Sequence, residues 1–149
     1  MKIPDYVSIE EVKRVCSDLG LRDWTALEGT EVLPEEAGKI LAAVNVQHMP
    51  IAEDRFRQGL EVELEHGVAF ADANVTNNHP LLTGKIVLSH LKESLDYYMR
   101  LDVAEIEGDL LKAAASGNAE KLMAKFRKLV AARLALAEAE AEQLAKGGG

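Results

Sequence analysis

Long hydrophobic runs and paired cysteines are absent from this sequence of 149 residues. Its apolar stretches fall well short of the ~20 residues that a membrane-spanning helix needs. The segment that follows Met1 has no apolar core of the kind found in signal peptides. Cys16 is the only cysteine, which excludes an internal disulfide. We therefore expect a cytoplasmic protein that does not enter a membrane.

Acidic residues outnumber basic ones, which argues against nucleic acids and anionic membranes as partners. The sequence carries 17 Lys and Arg residues against 25 Asp and Glu residues, for a formal net charge of -8. Such a surface repels the phosphate backbone of nucleic acids and the headgroups of anionic lipids. We expect neither as a partner.

Aromatic residues and prolines are also scarce, and this favours helices. Aromatics make up 5% of the residues, and none of the 4 prolines lies beyond Pro80. The apolar content is mostly Leu, Ala and Val, of which Leu and Ala are strong helix formers. A chain of this length normally forms one domain. We predict a single all-α domain over residues 1–149, a small bundle of five to six helices.

Capping residues and apolar spacing place the predicted helices along the chain. They run from Ser8 to Gly20, from Pro34 to about Asn45, and over residues 52–67, 79–95, 97–115 and 118–146. The third and fourth of these are expected to form a central antiparallel pair. The sixth is the longest and reaches almost to the C-terminus.

The central pair carries acidic and imidazole groups on its apolar faces. At about 100° per residue, Glu63 falls on the apolar face of its helix, with His66 at the edge of that face. On the next helix His90 lies at the centre of the apolar face, and Glu93 lies close by. A carboxylate on a buried face costs several kcal/mol unless it is paired, protonated or bound to a metal.

The order of these four residues favours a metal site. The first helix reads Glu63-x-x-His66 and the second reads His90-x-x-Glu93. In an antiparallel pair, this reversed order would set glutamate opposite glutamate and histidine opposite histidine. Facing helices of bundles hold iron, manganese or zinc with this combination of ligands. We predict that all four bind one divalent ion of this group, in a protein whose reaction the sequence does not specify.

An alternative uses the same residues without a metal. Glu63 would pair with Arg100 or Lys85, and His90 would bond to a tyrosine, which gives a buried polar network. The protein would then be a non-enzymatic interaction or assembly protein. His79 would add a further metal ligand only if the loop before it folded back toward the pair.

Two glycines lie within the central pair of helices. Gly59 and Gly84 each cost about 1 kcal/mol relative to alanine in a helix. Close approach of a neighbouring backbone or of a ligand would explain why glycine stands at these positions. Gly59 lies on the same helix face as Glu63 and His66, so close approach of a ligand is the favoured explanation for this glycine.

Three short segments carry a resemblance to a known family. They read FRQGLEVELEHG from Phe56, GKIVLSHLKE from Gly84 and DYY from Asp96. The pattern resembles that of a small uncharacterised bacterial and phage family, a domain of unknown function marked by ELEHG, GKI-x-L-x-HL-x-E and DYY. The resemblance covers roughly residues 56–101. It implies no activity.

The predicted C-terminal helix carries an apolar row with the 3-4 spacing of a coiled coil. The row comprises Met123, Phe126, Val130, Leu134, Ala137, Ala141 and Leu144. The half before the row's midpoint is basic and the half after it is acidic, which opposes the helix dipole. Two antiparallel copies would set basic halves against acidic halves, so we predict a homodimer formed through residues 118–146. A helix that only covers its own domain is the alternative.

Overall fold

The structure is a computed structural model that describes residues 7–147. Within this range the chain forms six α-helices, two short 3-10 helices and no strand. The α-helices are α1 (Ile9–Leu19), α2 (Pro34–Val44), α3 (Glu53–Ala69), α4 (Pro80–Glu93), α5 (Tyr97–Ala115) and α6 (Ala119–Gly147). The all-α prediction is confirmed, as are the central helix pair and the long C-terminal helix.

The helices belong to two compact units, Met1–Glu93 and Ser94–Gly149. The first unit contains α1 to α4, and the second contains α5 and α6. That the chain forms a single domain stays a prediction. None of the described helices combines the length and the apolar character that a membrane crossing requires.

Local capping signals set the ends of several helices. The hydroxyl of Ser8 accepts a hydrogen bond of 3.2 Å from the backbone N of Glu11, and Gly20 ends α1 with a φ of 60°. At the start of α6, the side chain of Asn118 accepts a hydrogen bond of 2.9 Å from the backbone N of Lys121. These signals are local in sequence, and the predicted ends of α1 agree with the structure. The predicted ends of α5, residues 97 and 115, agree as well.

A buried carboxylate fixes the connection between α1 and α2. Glu36 is 2% exposed and accepts hydrogen bonds from the guanidinium of Arg22 at 2.7 to 3.2 Å. It also accepts from the indole N–H of the fully buried Trp24 at 3.4 Å. Burial alone would raise the pKa of Glu36, but the hydrogen bonds from Arg22 outweigh it and hold this pKa below its ordinary value. The core of the first unit thus contains a charged group that is fully satisfied.

The turn between α3 and α4 differs from the prediction. α3 continues to Ala69, so Gly67 lies inside its last turn instead of ending it. The amide of Asn74 donates to the carbonyl of Gly67 at 3.2 Å and to Oδ1 of Asn78 at 2.9 Å. A Cβ atom on Gly67 would clash with Oδ1 of Asn78. The glycine therefore serves to let the loop fold onto the helix.

His79 caps α4 at its N-terminus. Its Nδ1 accepts hydrogen bonds from the backbone N of Leu81 at 3.2 Å and of Leu82 at 3.4 Å. Its side chain is buried, with a residue exposure of 7%. The imidazole thus takes the position usually held by Ser, Thr, Asp or Asn, and its Nδ1 is already engaged by the helix.

The second unit is an antiparallel hairpin of α5 and α6. Gly117 forms the turn with a φ of 66°. Ion pairs join the two helices at three levels: Asp109 with Lys125, Glu107 with Arg133, and Arg100 with Glu140. The basic first half of α6 and its acidic second half thus find complementary charges on α5.

Candidate metal centre

The packing of α3 against α4 brings Glu63 and His90 together. Oε1 of Glu63 lies 3.6 Å from Nε2 of His90. Their side chains are 15% and 30% exposed, so both are sheltered but reachable from solvent. Leu60 and Leu64 of α3 are buried beside Glu63, and Leu91 of α4 is buried beside His90. The apolar faces predicted for these helices are therefore the ones that pack.

The other two predicted ligands, His66 and Glu93, are exposed. His66 lies three residues, about one helical turn, after Glu63 on α3, and Glu93 lies the same distance after His90 on α4. Because the helices are antiparallel, His66 and Glu93 lie on opposite sides of the central pair. The predicted juxtaposition of like residues is wrong, since a glutamate faces a histidine. Both expected pairs would form only if α4 were shifted by about one turn along α3.

The distance between the side chains of Glu63 and His90 suits a shared ion. Ligand atoms about 2.0–2.2 Å from a metal at a tetrahedral angle are about 3.4 Å apart. The observed 3.6 Å between Glu63 and His90 is close to this value and longer than an ordinary hydrogen bond. Among the described residues, no group of three or more His, Cys, Asp or Glu side chains is arranged to hold an ion. The arrangement thus offers two converged ligands, with His66 and Glu93 one turn to either side.

The region of the chain that contains α3 and α4 matches a described sequence family. Residues 12–107 match a family described as a protein of unknown function, DUF5661. The chain belongs to DUF5661. No curated protein and no solved structure matches it.

The DUF5661 match extends beyond the resemblance found in the sequence. It begins in α1 and ends within α5, so it includes both N-terminal helices. The region contains all four predicted ligands: Glu63, His66, His90 and Glu93. α6 lies outside it.

A groove of about 300 Å³ lies next to the central pair within the DUF5661 region. Glu63, His66, Phe70, Val75, Thr83 and Ile86 are among the residues that line it. One wall is the loop that Asn74 holds against Gly67. The sequence did not predict the groove, because the groove forms only when the loop folds onto the end of α3.

Proposed function

We propose that this protein binds a divalent ion of the iron, manganese and zinc group at the α3–α4 hairpin. Glu63 and His90 are the central ligands, and His66 and Glu93 are the flanking ligands that side-chain rotation would bring to the ion. The observation that carries the proposal is the 3.6 Å approach of a carboxylate oxygen to an imidazole nitrogen at a sheltered helix crossing.

The chemistry of the donor set supports these metals. A carboxylate with a neutral imidazole is a ligand combination found for iron, manganese and zinc, whereas calcium and magnesium prefer oxygen ligands. Where four protein ligands fill a tetrahedral ion, the site is closed and structural; where the ion accepts more than four ligands, or is held by Glu63 and His90 with only one flanking ligand, water keeps the remaining positions. Such water is where hydrolytic or redox chemistry would take place.

Metal binding to the purified full-length chain tests the proposal. The chain is first freed of metal and then titrated with Zn²⁺, Mn²⁺ or, without oxygen, Fe²⁺, in a calorimeter. We expect one of these ions to bind with about one site per chain. Glu63→Gln and His90→Gln should each weaken that binding at least about tenfold, because each removes a ligand from the ion. Circular dichroism checks that both variants remain folded.

Two controls match these variants in chemistry. Glu65→Gln changes an exposed carboxylate on the same helix, and His48→Asn changes an exposed imidazole in a loop. Neither should alter the affinity. If the unchanged chain binds none of the three ions, or if the controls weaken binding as much as the ligand variants, the metal proposal is wrong. The Glu63–His90 pair would then be a metal-free polar contact in an interaction or assembly protein.

We also propose a cytoplasmic location for the protein. Its single cysteine, Cys16, is a buried free thiol. Burial raises the pKa of this thiol, which keeps it protonated and unreactive. A chain with one free thiol and no disulfide suits a reducing compartment.

As a second function we propose self-assembly, through a homodimer that uses α6. The observation that favours it is a row of large apolar side chains left exposed on this helix. Met123, Phe126, Val130 and Leu134 are 52% to 61% exposed. Exposed apolar side chains that follow one another along a helix mark an interaction surface more often than scattered ones do.

A further inference from the structure

α6 carries two apolar rows, and only one of them packs in the hairpin. The inner row, formed by Leu122, Leu129 and Leu136, faces α5, and Leu129 is 4% exposed. The outer row consists of Met123, Phe126, Val130, Leu134, Ala137, Ala141 and Leu144, all of them exposed. A helix with two such rows is built to contact two neighbours, of which α5 is one.

We propose that the outer row is covered by the outer row of a second copy, antiparallel, with the two-fold axis near Ala132. This inference rests on the homodimer proposed above and specifies its register. Charge, side-chain size and helix direction argue for it independently.

Charge is the first argument for this register. Lys125, Arg133 and Glu140 are already held in ion pairs with α5. Arg127 and Glu138 are exposed, and no ion pair among the described residues includes either of them. At about 100° per residue, both flank the outer row on the side away from α5. They are therefore available to a second copy.

Two-fold symmetry determines how these charges meet. Across an antiparallel pair related by such an axis, a flank of one helix faces the same flank of the other. Arg127 of each copy then lies opposite Glu138 of the other when the axis passes near Ala132. The register forms two equivalent ion pairs, one on each side of the axis.

The same register matches large side chains with small ones. Met123 lies beside Ala141 of the second copy, and Phe126 lies near Ala137. Val130 and Leu134 of the two copies meet around the axis. A parallel pair would instead set Phe126 against Phe126. It would also leave Arg127 and Glu138 of the two copies 11 residues apart along the helices, about 16 Å at about 1.5 Å per residue, so that neither ion pair could form. It would also align the helix dipoles in parallel, which is unfavourable.

Disulfide cross-linking of full-length variants that each carry one added cysteine tests the register. Met123→Cys protein is mixed with Ala141→Cys protein and oxidised with oxidised glutathione. Buried Cys16 is kept in both variants and in the unchanged chain that serves as background. We expect a cross-linked dimer containing one chain of each variant, because cysteines bridge only when their Cα atoms are within about 7 Å.

Each variant alone is the matched control. In the proposed register, the two copies of residue 123 are about 27 Å apart at 1.5 Å per residue, so Met123→Cys alone should not cross-link. Efficient cross-linking of Met123→Cys with itself would indicate a parallel pair and overturn the proposal. A dimer by light scattering that gives no mixed cross-link would overturn the register but leave the homodimer standing. A chain that stays monomeric would overturn both.

Charge reversal provides a second measurement of the same register. Arg127→Glu alone should weaken the dimer several-fold, because it sets like charges opposite each other at both ends. The double variant Arg127→Glu with Glu138→Arg restores opposite charges and should recover the affinity. If the double variant is no tighter than the single one, Arg127 and Glu138 do not face each other and the register is wrong.

Discussion

At the scale of single residues, His79 is a titratable group whose neutral form stabilises the fold. Nδ1 can accept from the amides of α4 only when it carries no proton. Burial lowers the pKa of His79 below its ordinary value of 6.5, and Glu11 of α1 opposes this by raising it. Arg14 of α1 and Lys85 of α4 lower it further. The folded chain therefore resists protonation of this imidazole more than the unfolded chain does.

This difference predicts that stability falls in mild acid. Because the folded pKa of His79 is lowered, its contribution is complete above about pH 6.5 and is lost as the pH falls through the folded value. We expect His79→Asn, which caps without titrating, to make the loss of stability in mild acid smaller. Urea unfolding at about pH 7.5 and about pH 5.5 measures the change.

His48→Asn is the control for this prediction. His48 is exposed and has a φ of 53°, a conformation that asparagine tolerates. This variant should keep the pH dependence of the unchanged chain. Equal slopes for the chain with His79 and the chain with Asn at that position would show that the cap does not titrate in this range.

At the scale of helices, Gly84 permits α2 and α4 to pack closely. An added Cβ would lie 2.6 Å from Cγ2 of Ile40, a fully buried side chain. Ile40 is branched at Cβ and cannot swing this methyl group away without changing its rotamer. Close approach of a neighbouring element, expected from the sequence as one explanation for this glycine, is what the structure shows.

Gly84→Ala therefore sets two effects against each other. Alanine stabilises a helix interior by about 1 kcal/mol relative to glycine, whereas overfilling a packed core costs about 1–3 kcal/mol. We expect the clash to dominate and the free energy of unfolding to fall by about 1 kcal/mol. Chemical denaturation of the full-length chain measures it.

Gly108→Ala on α5 is the matched control, because no atom apart from its chain neighbours and its own helix backbone lies within 4 Å of the added Cβ. This variant should gain up to about 1 kcal/mol from helix propensity alone. A Gly84→Ala chain as stable as Gly108→Ala would show that the α2–α4 crossing relaxes freely.

Helix ends and helix contacts were not equally predictable from the sequence. Ser8, Gly20 and Asn118 act on backbone groups a few residues away, so local patterns predicted their roles. The end of α3 was misplaced because Gly67 contacts a loop that only the folded chain brings to it. Predicting a cap at His79 would have required recognising imidazole as an acceptor.

The candidate site shows the same division. The apolar spacing correctly placed Glu63 and His90 on the faces that pack. It could not fix the register of α3 against α4, because register depends on how side chains interlock across the helix pair. The register in the structure differs from the predicted one by about one turn. His66 and Glu93 therefore do not meet the residues predicted to face them, and both are exposed.

At the scale of the whole molecule, its unmatched apolar surface is concentrated on α6. Five of the large apolar side chains that are more than half exposed lie on this helix: Met123, Phe126, Val130, Leu134 and Leu144. The net charge of -8 keeps copies of the chain apart in general. Association therefore needs a local match of opposite charges, which Arg127 and Glu138 would provide in the proposed homodimer.

The proposed homodimer predicts that stability depends on protein concentration. When folding is coupled to dimer formation, a tenfold rise in concentration stabilises the dimer by about 1.4 kcal/mol at 25 °C. We expect the Tm of the full-length chain to rise with concentration when metal is removed by a chelator, which separates assembly from ion binding. Val130→Lys should abolish the rise, because it places a charge at the two-fold axis. Leu111→Lys alters an exposed leucine of α5 and should retain the rise. A Tm independent of concentration, together with a monomeric mass by light scattering, would mean that α6 exposes its outer row for some other purpose.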